Sequence, residues 1–428
     1  MKLNSILFPL LAVLMLILQI VDPSTVWKAL SIAFGGAWLI AWFWARTLAK
    51  NLWLTREMRY EWAQVGDTLE EQFTLTNDSF LSAAWVEVRD HSTLPNYSAS
   101  RATGAGGDET NTWHTRGVCT RRGVYTLGGA TLQSGDPFGI YTVEIDQTES
   151  STLVVMPPVI PLPALEIAPG GWTGDGRSYS NSFEQTINVL TVREHQEGEP
   201  LNMIHWPTTA HRGKLYSRML DSSPVSDWWI VLDADAKVQA GHDWESTTEL
   251  GVILAASLAA RGLQSRRSVG LLSSGLNHEQ TIWLKPQSTK QQRLQIMRSL
   301  AMLEPGKLPL AELLERAAPA FGQRSSLIVI SPSLKNEWLS PLLQLGRKGI
   351  SPTVLLMDPS TFGAPHRADL FANVLAEIGI PRFIFGCDLL QQSAANPALR
   401  SKREWRIMPT GKAVSTRPQS DMAWRKLG

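Results

Sequence analysis

Trp228-Trp229-Ile230-Val231-Leu232-Asp233-Ala234-Asp235-Ala236-Lys237 reads as a buried strand that runs into an acidic turn. Five apolar residues in succession leave no polar alternate, so a strand built from them must be covered on both faces. Downstream, the periodicity predicts a helix over 246–263 with small residues on one face, a strand at 268–272 and an antiparallel edge strand at 281–284. Amphipathic helices follow at 291–303 and 308–318, then strand 326–330, helix 334–347, strand 353–357, helix 369–378 and a last strand at 382–385. Continuous apolar strands separated by helices specify an α/β domain over 227–390 with a mostly parallel sheet. Asp233 and Asp235 stand just after the first strand, where doubly wound sheets place their ligands.

Immediately upstream, residues 192–221 are dense in groups that need partners: Arg193, Glu194, Glu197, Glu199, His205, His211, Arg212, Lys214 and Arg218. Ile204, Trp206, Leu215 and Met219 supply apolar punctuation. Gly198 before Glu199-Pro200 marks a turn, and Gly213 ends a short helical piece at 208–212. A cluster of this kind serves either as an architectural ion-pair network where two domains meet or as a contact surface.

The same run resembles the signature of the bacterial family called domain of unknown function 58. Arg193, Gly198, Ile204, His205, Trp206, Thr209, Ala210, Gly213, Leu215 and Arg218 fall in register with it. The departures include His195 for a tyrosine, Glu199 for an aspartate, Asn202 for an arginine and His211 for another arginine. Two basic positions are thereby lost or made titratable. Segments 121–128 and 134–139 also resemble the region that precedes the signature in that family. The resemblance implies a von Willebrand factor A-like domain over 227–390 and, as protein partner, an ATPase of the MoxR-type AAA+ class. In von Willebrand factor A domains an Asp-x-Ser-x-Ser turn holds Mg²⁺. Here Asp233 is kept, but Asp235 and Lys237 stand at the serine positions and 303–310 offers no threonine, so the site reads as degenerate. No metal or other cofactor is expected, and Asp233 is expected to pair with Lys237 across the turn.

At 428 residues the chain has room for two or three domains. Lys plus Arg number 40 against 39 Asp plus Glu, a balance unlike that of a protein dominated by nucleic-acid phosphate contacts. The 2 cysteines, Cys119 and Cys387, lie far apart without Cys-x-x-Cys spacing, which suggests neither a zinc site nor a disulfide framework.

Two apolar runs open the chain. Residues 6–21 begin at Ile6, end at Val21 and contain only Pro9 and Gln19 as interruptions; Asp22-Pro23-Ser24-Thr25 is a turn; residues 26–45 run from Val26 to Ala45 with Lys28 as their only charge. Each approaches the ~20 residues a helix needs to cross hydrocarbon. Trp27 at one end and Trp42 and Trp44 at the other suit interfacial aromatic belts. Arg46, Lys50, Arg56 and Arg59 follow, so the positive-inside rule places both ends in the cytoplasm. No small-x-small cleavage site follows the first run, which argues for a transmembrane hairpin over 1–45 rather than a signal peptide.

A juxtamembrane linker is expected at 46–58 and a small β-sandwich at 59–165. Strands are predicted at 69–76, 84–88, 113–120, 123–133, 141–145 and 152–156, with Glu71 the odd charge on an apolar face and 91–111 an exposed loop. Arg121-Arg122 reads as a solvated turn or a lipid-headgroup contact near the membrane. The proline-rich 157–163 and glycine-rich 170–176 read as linkers, 166–226 as linker plus signature, and 391–428 as a loose basic tail from which Trp405 and Ile407 dock.

No Gly-x-x-x-x-Gly-Lys-[Ser/Thr], His-Glu-x-x-His or Gly-x-Ser-x-Gly occurs. The sequence therefore reads as a membrane-anchored multidomain interaction protein without a catalytic site. Its contacts are assigned to Arg193, Glu194, Gly198, Glu199, His205, Trp206, Arg212, Lys214 and Arg218. The rival readings are a hydrolase at the inner membrane face that uses the His/Glu cluster, and a magnesium-dependent ligand-binding protein centred on Asp233.

Overall fold

The structure, a computed structural model, describes residues 1–163, 165–169, 189–196, 204–220, 226–276, 280–322, 325–390, 405–407, 413–415 and 425–426. It divides into two compact units, Met1–Met156 with Arg400–Gly428, and Pro157–Leu399.

In the first unit β1 (Lys2–Leu3) leads into α1 (Leu7–Val21) and, after a turn, α2 (Thr25–Asn51). Ser24 caps α2, its Oγ accepting the Trp27 N–H at 3.5 Å. With 27 residues, α2 is long and apolar enough to cross a membrane. α1 is as apolar but has 15 residues, about 22 Å of helix, less than the hydrocarbon thickness. The expected hairpin, whose first run is the shorter in the sequence too, is thus one helix of membrane length with a shorter apolar companion. α2 also continues past Ala45, because Ala45 and Leu48 are fully buried against the strands that follow.

Those strands are β2 (Leu52–Met58), β3 (Trp62–Gln64), β4 (Thr68–Asn77), β5 (Ala83–Asp90), β6 (Arg101–Ala105), β7 (Glu109–Val118), β8 (Gly123–Gly135) and β9 (Tyr141–Met156). One sheet runs β1-β9-β8-β5-β6 with β3 beside β9; the other contains β2-β4-β7. Together they form an antiparallel sandwich. The linker expected at 46–58 is corrected: Leu52, Leu54 and Met58 alternate into the core and pair β2 with β4. The loop expected at 91–111 is corrected too, since it holds β6 and buries Leu94 and Tyr97. The two short strands expected between 141 and 156 are one strand of 16 residues.

Glu71 and Arg56 explain each other. Both point inward from adjacent strands, and Arg56 grips Glu71 with Nε at 2.9 Å from Oε1 and Nη2 at 2.7 Å from Oε2. Arg56 Nη1 reaches Asp90 Oδ1 of the other sheet at 2.8 Å, Nη2 reaches Ser92 Oγ at 2.9 Å, and the Tyr97 hydroxyl donates to Glu71. Burial works against the Arg56 charge, but the hydrogen bonds and field of Glu71, then Asp90, outweigh it and raise its pKa. Burial and the neighbouring Glu71 charge push the Tyr97 hydroxyl well above its ordinary range, which keeps it a donor. Arg56 is therefore an inter-sheet clamp and not a membrane-proximal charge. Arg121 and Arg122 precede Gly123, which pairs with Val155, whereas the other end of β8 pairs Gly135 with Thr142 beside the helices. The arginines stand at the far end of the sheet, about 40 Å of strand away, which corrects the headgroup reading.

The second unit opens with 157–163 lying on the α/β layer, where Pro157, Pro158 and Ile160 are buried; this segment is no free linker. The glycine-rich 170–176 lies outside the described residues. Then come β10 (Val189–Glu194), α3 (Trp206–Arg212), β11 (Tyr216–Leu220), β12 (Trp228–Leu232), the small hairpin β13 (Gly241–His242) and β14 (Glu245–Ser246), and α4 (Thr247–Gln264). β15 (Val269–Leu276), β16 (Gln280–Gln287), α5 (Lys290–Ala301), α6 (Leu310–Ala317), β17 (Ser326–Ser331), α7 (Leu339–Arg347), β18 (Ser351–Met357), α8 (Asp369–Glu377) and β19 (Arg382–Phe385) complete it. The sheet order is β16-β15-β12-β17-β18-β19, parallel except for the edge strand β16. That mostly parallel sheet is consistent with a von Willebrand factor A-like fold. Trp229, Val231, Val329 and Leu356 meet α6, α7 and α8 on one face. On the other, α4 comes so close that a Cβ at Gly251 would lie 2.7 Å from the Leu232 side chain. This contact explains the run of small residues in α4.

From the tail, β20 (Trp405–Ile407) pairs with β21 (Ala413–Ser415), and β22 (Arg425–Lys426) adds to β2 at Glu57 and Met58. The rest of the tail lies outside the described residues. Removing Arg56 would leave Glu71 and Asp90 buried without their cation. Arg56→Ala is expected to cost about 3–5 kcal/mol of sandwich stability. Unfolding of the detergent-solubilised chain, followed by tryptophan fluorescence, measures it; a loss under about 1 kcal/mol would mean the pair is screened like a surface bridge.

Candidate interaction surface

The signature residues gather on β10, β11 and α3. β10 and β11 pair antiparallel, with Val192 opposite Arg218, Arg193 opposite Ser217 and Glu194 opposite Tyr216. The chain then returns along the other side of β11, where Ile204 bridges Ser217 and the His205 N–H donates to the Tyr216 carbonyl at 2.7 Å. Ile204 and Ser217 are buried and form the pivot of this small module.

His205 begins α3. Its Nδ1 accepts the Thr208 N–H at 3.3 Å and lies 2.8 Å from Thr208 Oγ1, so the ring caps the helix. Pro207 suits the first turn, where no N–H is needed. Gly213 closes α3 at φ 67 and donates its N–H to the Thr209 carbonyl; a side chain there would be strained even though space is open around it. His195 Nδ1 lies 2.8 Å from Ser217 Oγ. The His205 and His195 rings therefore make separate local contacts, and His211 is exposed on the last turn of α3.

The charges face outward. Lys214 Nζ lies 3.1 Å from Glu194 Oε1, and both side chains are mostly exposed, so the pair is worth little. Arg212 lies over the Tyr216 ring at 5.6 Å. Arg193 is half-buried, with Nη1 3.4 Å from the Glu194 carbonyl. None of α3's residues is buried; Trp206 is 62% exposed and Leu215 45%. Of the other assigned contacts, Gly198 and Glu199 lie outside the described residues, as does the side chain of Arg218.

The family resemblance also implies a divalent-metal site at the carboxyl end of β12, and the donors here do not fit it. Asp233 Oδ2 accepts from Ser331 Oγ at 2.6 Å and Oδ1 from the Asp235 N–H at 3.1 Å. Asp235 Oδ1 accepts the Lys237 N–H at 3.1 Å. The Lys237 side chain is exposed, which corrects the expected Asp233–Lys237 pairing: hydroxyl and amide donors of the turn satisfy both carboxylates. Among the described residues no group of three or more His, Cys, Asp or Glu is placed to hold a metal ion. A shallow cleft of about 370 Å³ does lie at the carboxyl edge of the sheet, with His242, Glu245, Thr361 and Cys387 among its lining. Its residues come from three separate loops, and no local motif in the sequence marks them.

Residues 191–367 match the family described as "Protein of unknown function DUF58". This segment is a DUF58 domain. It takes in β10, the whole signature and the sheet through β18. Among solved structures, the chain is similar to the conserved hypothetical protein BatB from Bacteroides thetaiotaomicron, at 16% identity over 40% of this chain and 98% of that one, with a TM-score of 0.28. It is also similar to a CARDB domain from Pyrococcus furiosus, at 18% identity over 24% of this chain and 94% of that one, with a TM-score of 0.20. No curated protein matches the sequence.

Burial raises the Asp233 carboxyl from 3.8 to about 6, against the Ser331 and Asp235 hydrogen bonds. The folded DUF58 domain thus holds this proton more tightly than the unfolded chain does. The stability it contributes is full below pH about 4 and is lost as pH rises through about 6, a difference of about 3 kcal/mol. Asp233→Asn should flatten that window: relative to the variant, the parent's melting temperature should fall between pH 4 and pH 7. Parallel pH profiles would contradict the assignment.

Proposed function

We propose that this chain is a membrane-tethered scaffold whose DUF58 domain presents α3 and the β10–β11 pair to a protein partner. The observation that carries this reading is the exposure of Trp206 on α3 and of Leu215 just after it, on a module whose Arg212, Lys214 and Glu194 are exposed too. A large exposed aromatic on the same small module as exposed charges, and not among the lining of the cleft at His242 and Cys387, has the makeup of an interface anchor rather than of a substrate pocket. The partner proposed is an ATPase of the MoxR-type AAA+ class, on the family resemblance of the signature.

In the same proposal α2 is the membrane anchor and α1 folds back beside it, so that both helix ends open to the cytoplasm. Lys2, Arg46 and Lys50 lie at the end of the pair next to the sandwich, and Asp22 lies at the turn. This is the polarity the positive-inside rule asks of an internal body.

Affinity purification of the full chain from detergent-solubilised native membranes is expected to recover the ATPase. Trp206→Ala should weaken capture by about 2 kcal/mol, and Arg193→Ala with Arg218→Ala should weaken it as well, with melting temperatures unchanged. Equal recovery by parent and variants would remove the signature as the contact. Protease added outside intact cells should leave the body uncut; cleavage of the DUF58 domain under those conditions would overturn the orientation.

A further inference from the structure

Large aromatic side chains collect at one end of the sandwich, and they come from five places in the chain. Trp42 and Trp44 are on α2, Trp53 opens β2, Phe80 lies in the β4–β5 turn, Trp85 is on β5 and Phe138 is in the β8–β9 turn. Contacts tie them together. Phe43 and Phe80 have ring centroids 6.3 Å apart, the Trp44 indole N–H donates to the Ser82 carbonyl at 3.1 Å, and the Trp53 N–H reaches Asp78 at 3.1 Å. On the other side Trp38 donates to the Tyr141 hydroxyl at 2.7 Å, while the Asn4 N–H reaches the Ile140 carbonyl at 2.8 Å. Phe80 is 68% exposed, Phe138 50% and Trp53 48%. A soluble surface rarely leaves so many rings outward in one band.

Helix length says where this band must lie. Residues 38–48 of α2 already pack on the sandwich, with Ala41, Ala45 and Leu48 fully buried. That leaves 25–37 clear of it, about 20 Å of helix, too little for hydrocarbon about 30 Å thick. From Thr25 to Trp44 the helix measures about 30 Å, with Trp27 near one end and Trp42 and Trp44 at the other. α2 therefore crosses only if its packed base, and the sandwich turns at the same level, descend to the lipid headgroups. Trp and Phe at that level meet acyl chains with their rings, and the Trp N–H groups meet carbonyls and water.

We propose that this end of the sandwich is itself seated in the lipid interface, with Phe80 and Phe138 inserted among the headgroups beside α2. The inference rests on the reading of α2 as the membrane anchor and adds that the β-domain is a second membrane-contacting element. The occupant is the bilayer surface, because the aromatic band is continuous with the apolar helices that leave the same end.

The test uses the full chain carrying Cys387→Ser, reconstituted in phosphatidylcholine vesicles. Cys119 stays silent because burial, with Asp67 adding to it, pushes its thiol up to about 12. An environment-sensitive fluorophore is attached in turn at Phe80→Cys, Phe138→Cys, Ile17→Cys on α1 and Trp62→Cys at the opposite end of the sandwich. Spin-labelled lipids carry the quencher either at the headgroup or within the acyl chain. The expected result is headgroup quenching at positions 80 and 138, acyl-chain quenching at 17 and neither at 62. If 17 is quenched while 80 and 138 are not, the sandwich stands clear of the lipid: the anchor survives and this proposal falls. A blue-shifted but unquenched label at 80 and 138 would mean protein covers the band, which also overturns it. Loss of quenching at 17 would instead remove the anchor reading on which the proposal rests.

Discussion

Water cannot surround α1 and α2 cheaply. Leu7, Leu10, Leu16, Ile17, Ile20, Val21, Ile32, Leu39 and Ile40 are each more than half exposed. Burying one such side chain fully contributes about 1.5–3 kcal/mol, so these nine partly exposed side chains carry on the order of 10 kcal/mol of demand for an apolar environment. Among the described residues of the first unit, no contact covers those side chains beyond the exposure given. Both ends of the pair are nevertheless fixed to the β-domain: β1 hydrogen-bonds to β9, and the last turns of α2 bury Ala41, Ala45 and Leu48 against it. A flexible tether would let the sandwich drift from the bilayer. In the anchor proposed above, a tether packed this way would transmit the position of the helices to the domain behind them.

Within that domain, the Arg56 cluster decides how the two sheets face each other. Glu71 stands out in the sequence as a charge on an apolar face, and Arg56 stands out as one more basic residue after the apolar runs. Each is legible alone, and their pairing is not, because it depends on β2 being a strand. Leu52–Met58 alternates cleanly, yet a chain that has just left a long apolar helix invites reading as a linker. The register of β2 against β4 then sets Met58 opposite Glu71 and Arg56 opposite Phe73, which gives the guanidinium a carboxylate and a ring at once.

The α/β domain was far more open to reading. Strands such as Trp228–Leu232 and Ser326–Ser331 are apolar on both faces, and the helices between them carry strong periodicity, so local pattern and final environment agree. Even the antiparallel edge strand β16 carries its own signal, since exposed and buried positions alternate in it. What pattern could not supply was side-chain direction. Lys237 lies two residues after Asp235 and looks like its natural counter-ion, but the turn aims its N–H at the carboxylate and its ammonium at solvent. The cleft behind His242 and Cys387 was invisible for a related reason: its walls lie more than a hundred residues apart in the chain.

Arg56 is consumed inside the sandwich, and Arg59 faces Glu70 at 3.8 Å at the end of β2 away from the helices. In the anchor proposed above, the positive charge available to orient the helix pair therefore reduces to Lys2, Arg46 and Lys50, set against Asp22 and Lys28 at the turn. Arg46 lies 5.3 Å from the centre of the Trp42 ring, which places a cation at the level where the aromatic band begins. With so few charges, their position matters as well as their number, because only those near the ends of a span bias its orientation. The aromatic side chains at the base of α2 would fix that position. On that proposal charge and ring act on one boundary: the aromatics would set how far the helices enter, and Arg46 and Lys50, just beyond them in sequence, would set which side the body stays on.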